Sequence, residues 1–147
     1  FQWEFGCRAG TTTPTYTGKN VTNATEFNTE VKKIARCRST KADGKGGTGN
    51  NNGPTIVGSY QANDYGLYDM NGNLWEYCRD WFKWYPEDMN VPVDPVGPTS
   101  GENGGRRTIR GGYYDDLDEF QCSASRSGIG PDNAGNPYTF RLANLIP

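Results

Sequence analysis

Histidine is absent from the 147 residues of this chain, which removes the imidazole on which most nucleophile activation and many metal sites depend. Any chemistry would fall to cysteine and carboxylate. The four cysteines, Cys7, Cys37, Cys78 and Cys122, lie far apart, with no C-x-x-C pair of the kind that binds zinc or cycles as a dithiol. Read from the residues, they are buried structural cysteines or disulfide partners. The densest set of oxygen donors is Asp69-Met-Asn71-Gly72-Asn73-Leu74-Trp75-Glu76, where two carboxylates and two amides surround a glycine. Hard cations such as calcium want several oxygens of mixed carboxylate and carbonyl origin. The stretch is not an EF-hand loop, because Leu74 stands where that loop has its sixth-position glycine. Asn71-Gly72 reads equally as a tight turn with solvated polar flanks.

The elements that would position these groups are short. The chain is of single-domain length, residues 1–147, and its apolar fraction is only 33%, but four Trp, nine Tyr and six Phe supply large units of burial. Twenty Gly and nine Pro interrupt the sequence too often for long helices, which predicts a loop-rich α+β architecture. Residues Thr25 to Arg36 place Phe27, Val31 and Ile34 at helical spacing, with Thr25 as the expected cap. Arg107 to Arg110 reads as a strand entering a turn at Gly111-Gly112, and Tyr138 to Ala143 as a terminal strand. The polar, Gly/Asn-rich tract from Ser39 to Pro54 is expected to be an exposed loop. Trp75, Trp81 and Trp84 are assigned mainly to the core or a structural aromatic cluster, with Trp84 the one of the three that would most readily be exposed. A net charge of −2 with scattered basic residues argues against nucleic acid as a partner. No apolar run is long enough to suggest a membrane span, and the opening residues read as domain interior, without the charged, apolar and small-residue succession of a signal peptide.

Ordered blocks carry a more specific reading. Trp3-Glu4-Phe5-Gly6-Cys7-Arg8-Ala9-Gly10, Tyr65-Gly66-Leu67-Tyr68-Asp69-Met70-Asn71-Gly72-Asn73-Leu74-Trp75-Glu76, Arg110-Gly111-Gly112-Tyr113-Tyr114, Cys122-Ser-Ala-Ser-Arg126 and Phe140-Arg141-Leu142-Ala143 run from end to end. Together they resemble the formylglycine-generating-enzyme (sulfatase-modifying factor) family, which implies a C-type-lectin-like fold of that type, with this numbering beginning partway through it. The resemblance also implies a calcium site, with side-chain oxygens from Asp69 and Glu76 and backbone carbonyls from Gly72 and Leu74. It implies a Cys7–Cys122 disulfide and names no partner for Cys37 or Cys78, expected to be buried or free. The family's oxidising members carry a copper-binding cysteine pair after the Arg-Gly-Gly turn. The matching positions here are Asp116 and Gln121, neither of which can be a thiolate, so no catalytic residue and no catalytic cofactor is expected.

Departures from the family pattern concentrate in residues 113–139, between anchors that stay recognisable. That distribution resembles the variable region of diversity-generating-retroelement proteins. Tyr113, Tyr114, Phe120 and Tyr138 offer rigid amphipathic contact area, and Asp115, Asp116, Asp118, Gln121, Ser127 and Ile129 fill the intervals, the mixture typical of antibody paratopes. The alternative for each aromatic is a place in the core. The expected function is non-catalytic binding of a protein or glycan ligand through these ten residues on one solvent-facing surface, with Arg110, Gly111, Gly112, Cys122, Arg126, Phe140 and Arg141 beneath. Display at a cell or phage surface is favoured. The competing readings are a metal-dependent oxidase or oxygenase of the same family, and a purely structural domain in a larger surface protein.

Overall fold

A computed structural model of the chain describes residues 1–41, 52–85, 97–98, 100–101, 105–135 and 137–143. Among the described residues, two α-helices and six short strands are arranged around one buried cluster. Helix α1 spans Gln2–Arg8 and α2 spans Ala24–Ile34. The α2 cap is Asn23, whose side chain accepts from the Glu26 amide at 3.0 Å. The expected cap, Thr25, lies inside the first turn, because an Asx side chain one residue before the helix reaches an otherwise orphaned N–H. Glu26 returns the contact by accepting from the Thr22 amide at 2.9 Å. As the spacing requires, Val31 and Ile34 are buried and Phe27 packs against them. The helix ends at Ile34 because Ala35–Arg36 extends into strand β1.

Strand β1 pairs in parallel with β2, Asn71–Gly72, matching Ala35 to Asn71 and Arg36 to Gly72. This close pairing explains the glycine. Gly72 has φ of 75°, and a Cβ there would lie 2.2 Å from the Arg36 carbonyl oxygen. The second sheet has four strands: β3 (Trp75–Trp81), β4 (Arg107–Arg110), β5 (Arg126–Ile129) and β6 (Tyr138–Thr139). Its order is β5-β4-β3-β6, antiparallel except where β6 runs parallel to β3. The strand at 107–110 and the turn after it are as expected, with Gly111 and Gly112 at φ of 90° and 78°.

The terminal strand is shorter than expected. Only Tyr138 and Thr139 pair with β3. Beyond them Phe140 turns outward, 70% exposed and not beneath a surface, while Arg141 leaves the sheet to reach Glu76. Most of the expected loop, residues 42–51, lies outside the described residues. Trp75 is buried, as expected, Trp81 lies under the Arg107 guanidinium, 3.7 Å from the ring centroid, and Trp84 stands outside the core, 82% exposed.

The core gathers Cys7, Tyr16, Val31, Ile34, Ala35, Cys37 and Met70. Arg110, almost wholly buried, ties the strands to α1: one terminal nitrogen donates to Glu4 at 3.0 Å and the other to the carbonyls of Ala124 and Ser125. Replacing Gly72 by Ala should therefore destabilise the fold by about 3 kcal/mol, because it combines a left-handed residue with a backbone collision. Urea denaturation would read this, and a loss below about 1 kcal/mol would mean that the β1–β2 pairing yields more easily than its geometry implies.

Candidate functional site

Strand β4 delivers the chain to Gly111 and Gly112, and the left-handed pair turns it sharply into Tyr113 and Tyr114. The two rings meet edge to face, centroids 5.3 Å apart and planes at 75°, the favoured geometry for an aromatic pair. Their backbone is fastened on both sides. The Tyr114 amide donates to the Asn73 carbonyl at 3.0 Å, and the Tyr113 amide donates to the Asp116 carboxylate at 3.1 Å. Asp115 accepts from Lys41 at 2.5 Å and from Arg38 at 3.3 Å, while the Arg38 amide donates to the Asp116 carbonyl. Phe120 and Leu117 stand exposed beside this turn. Tyr113, Tyr114 and Asp115 are half-buried and Phe120 is exposed, and Asp115 is held by residues more than seventy positions away. No local pattern marks Arg38 or Lys41 as its supports.

Two of the ten expected binding residues point inward. Asp118 is buried and accepts from the Cys37 thiol at 3.3 Å. Gln121 is fully buried beneath the turn, where a Cβ on Gly112 would meet its amide oxygen at 2.7 Å. A single 3-10 turn over Asp118–Phe120 produces this alternation, sending Asp118 in and Phe120 out. Nor do the remaining residues share one face. Ser127 and Ile129 lie on β5 and Tyr138 on β6, opposite edges of the sheet. The intervening chain is held against Tyr77, whose hydroxyl donates to the Gly130 and Asn133 carbonyls, and the Tyr77 and Tyr138 rings are 5.7 Å apart. Residue 136 lies outside the described residues. Tyr138 is tied to the Tyr113 turn through one stretch, since Trp75 donates to the Pro137 carbonyl two residues after Asn73 receives Tyr114.

A second aromatic group lies along the end of β3. Arg126 stacks between Phe82 and Tyr85, at 4.8 and 4.2 Å from their centroids, and Trp84 meets Phe82 edge on.

The positions that would hold a copper-binding cysteine pair are occupied by Asp116 and Gln121, and both have structural contacts. Burial raises the Asp116 carboxyl above its usual range, partly offset by the Tyr113 amide and the Trp75 side chain. Asp115 is the reverse case, lowered chiefly by its hydrogen bond from Lys41. The expected Cys7–Cys122 bridge is not formed, and all four cysteines are free. Cys7 is buried, with its thiol on Asn71 Oδ1 at 3.6 Å and beside Ser123, the neighbour of Cys122 in sequence. Burial pushes the Cys7 thiol up to about 12, and Cys78 likewise, so neither supplies a thiolate at neutral pH. Cys37 is buried and Cys78 half-buried.

The four expected calcium donors, Asp69, Gly72, Leu74 and Glu76, do line one cleft, of about 440 Å³, rimmed by Tyr68 and Phe140. The two carboxylates among them already have partners. Glu76 accepts from Trp3 Nε1 and Arg141 Nε, each at 2.6 Å, and its other oxygen is bonded to Arg141 Nη2. Asp69 accepts from the Gly58 amide at 2.7 Å. With a guanidinium across the Glu76 carboxylate, the donor set as it stands does not fit a calcium ion.

Residues 1–146 match the model of the sulfatase-modifying factor enzyme 1-like domain. Over 94 residues the chain is 40% identical to the formylglycine-generating enzyme of Streptomyces coelicolor, covering 60% of this chain and 28% of that protein. It is likewise 40% identical over 95 residues to the serine/threonine-protein kinase pkn1 of Chlamydia pneumoniae, covering 63% of this chain and 15% of the kinase. The chain therefore spans well under a third of the length of these relatives. Among solved structures, Treponema denticola variable protein 1 superposes with a TM-score of 0.74 at 27% identity, over 94% of this chain and 43% of the other. The α+β fold is thus of the expected formylglycine-generating-enzyme, C-type-lectin-like type.

Asp116 is half-buried, and the partial desolvation of its carboxyl makes stability depend on pH. Its folded-state pKa lies above the unfolded value of 3.8, so the folded state binds more protons, and Asp116 opposes stability increasingly as pH rises through the interval between the two values. Asp116→Asn keeps an acceptor for the Tyr113 amide and removes the charge. At neutral pH its melting temperature should equal or exceed that of the wild type, with the advantage vanishing below the unfolded pKa. A variant less stable at neutral pH by several degrees would show that the charge is favourable where it stands.

Proposed function

We propose, from the premise that the chain belongs to the sulfatase-modifying factor enzyme 1-like domain family, that it is a non-catalytic member that binds a protein or glycan ligand. The observation that carries this reading is the fate of the two positions after the Arg-Gly-Gly turn. Asp116 serves the turn backbone and Gln121 fills the space beneath it, so residues placed where the family's oxidising members hold a metal support a surface instead. Above them, the edge-to-face tyrosines, with Asp115 and Phe120, offer large, low-entropy contact area and adaptable polar groups. The likeness to a structure described as a variable protein supports the same reading. Diversification of these residues by a retroelement, with display at a cell or phage surface, is part of the proposal. The binding patch in this proposal is smaller than residues 113–139: it comprises Tyr113, Tyr114, Asp115 and Phe120, with Tyr138 at its margin.

A family-level alternative is oxidation of a peptide cysteine to formylglycine, favoured by the identity to formylglycine-generating enzymes. Titration with copper(I), followed by incubation with a cysteine-containing peptide and oxygen, separates the two. No stoichiometric copper binding and no aldehyde product are expected, and turnover would sink the binding-only reading.

The binding reading itself is tested on arrays of immobilised glycans and extracellular proteins probed with the wild type and with Tyr113→Ala/Tyr114→Ala. Any specific signal should fall at least tenfold in the double variant. Its melting temperature should fall only modestly, since the ring pair contributes about 0.5–1.5 kcal/mol beyond area burial. Equal binding by the two proteins would move the site away from this turn.

A further inference from the structure

We infer that the guanidinium of Arg141 is the resident cation of the Asp69–Glu76 turn, taking the place that a bound metal ion would otherwise fill. A turn that gathers a buried carboxylate and main-chain carbonyls around one point concentrates negative potential there, and something positive has to answer it. Here the answer is covalently attached. Arg141 Nη2 donates to the Tyr68 carbonyl at 3.2 Å and to the Asp69 carbonyl at 3.3 Å, as well as to Glu76. Nε completes a two-point contact with the Glu76 carboxylate, the fork geometry that makes arginine the preferred partner of a carboxylate. One planar cation therefore meets a side-chain carboxylate and two consecutive carbonyls. That is the class of donor set that hard cations use, but with donor–acceptor distances of hydrogen bonds in place of the roughly 2.3–2.6 Å of calcium coordination.

Geometry favours the arginine over an exchangeable ion in three ways. Asp69 sits at φ of 55°, and with that backbone turn the carbonyls of Tyr68 and Asp69 both reach the same nitrogen. Glu76 is nearly buried, whereas the Arg141 side chain is about one-third exposed, so the guanidinium caps the carboxylate from the solvent side and closes the approach. Trp3 donates to the same Glu76 Oε2 that accepts from Arg141 Nε, which holds the carboxylate in place for Arg141. A divalent ion approaching Glu76 would meet a positive charge already in contact with both of its oxygens, and its binding would require Arg141 to swing away.

Thermal unfolding of the wild-type chain, with excess chelator or with added calcium, provides the test, together with terbium as a luminescent calcium substitute excited through the nearby Trp3 and Tyr68. The wild type should melt at the same temperature in both conditions and give no sensitised terbium emission. Arg141→Met should melt roughly 10 °C lower, because it strands a buried carboxylate. In this variant calcium should recover roughly 5 °C, and terbium emission should appear. Arg141→Lys, which keeps the charge but not the fork, should fall between and remain indifferent to calcium. A chelator-sensitive wild type, or stoichiometric terbium emission from it, would overturn the inference whether or not Arg141→Met folds. A folded Arg141→Met that ignores both ions would overturn it too, since the oxygens would then not form a cation cage.

Discussion

The Glu76 carboxylate is the point to which the two ends of the described chain are tied. It lies on β3, nearly buried, and is reached by Trp3 from α1 and by Arg141 from beyond β6. Taking a carboxylate out of water costs several kcal/mol, and that cost is offset only when the charge is paired and its lone pairs are met. Glu76 satisfies both conditions with partners 73 residues before it and 65 after it. Beside it, Arg110 links the next strand to Glu4 in the same helix. One ion pair, Glu4–Arg110, and one hydrogen bond, Trp3–Glu76, thus fix α1 against the sheet, where a purely apolar contact would let it slide. This interior has few large aliphatic residues, and directional polar contacts supply the register that packing alone does not.

What this frame leaves free is side-chain identity on the outside of the 113–121 turn. The backbone there is held by bonds from Asn73, Arg38 and its own Asp116, and none of these depends on the tyrosine rings. Of the inner positions, Asp118 is bonded to the Cys37 thiol and Gln121 fills the space beneath Gly112. A division between inner and outer residues within nine positions is compatible with a recognition surface that changes while its foundation stays fixed. It also limits how many positions can change.

Helix α2 was legible because Phe27, Val31 and Ile34 repeat at its period, and the turn after β4 because two adjacent glycines allow little else. The family blocks made the overall architecture legible as well. Long-range pairings were not readable: nothing near Asp115 announces Arg38, and nothing near Glu76 announces Arg141. The inward turn of Asp118 and Gln121 depends on a single 3-10 turn, and such short elements have no sequence period. Phe140 misled because an aromatic in an alternating segment looks like a core strand, yet the segment stops pairing after Thr139. The cysteines misled for a related reason, since an offset of one residue puts Ser123 where Cys122 was expected.

The parallel pairing of β6 with β3 has a consequence for biosynthesis. Strands β3, β4 and β5 are joined by antiparallel ladders that can form once residue 129 has emerged, and Trp3 is present from the beginning. The outer edge of β3 remains open until Tyr138 and Thr139 arrive, and Glu76 waits still longer for Arg141. Such non-local closure is slow relative to local structure. During that interval the nascent domain presents an unpaired strand edge next to a half-neutralised carboxylate, and an unpaired edge is a template for pairing with another chain. Residues 138–141 therefore protect the nascent domain from association with other chains as well as completing its sheet.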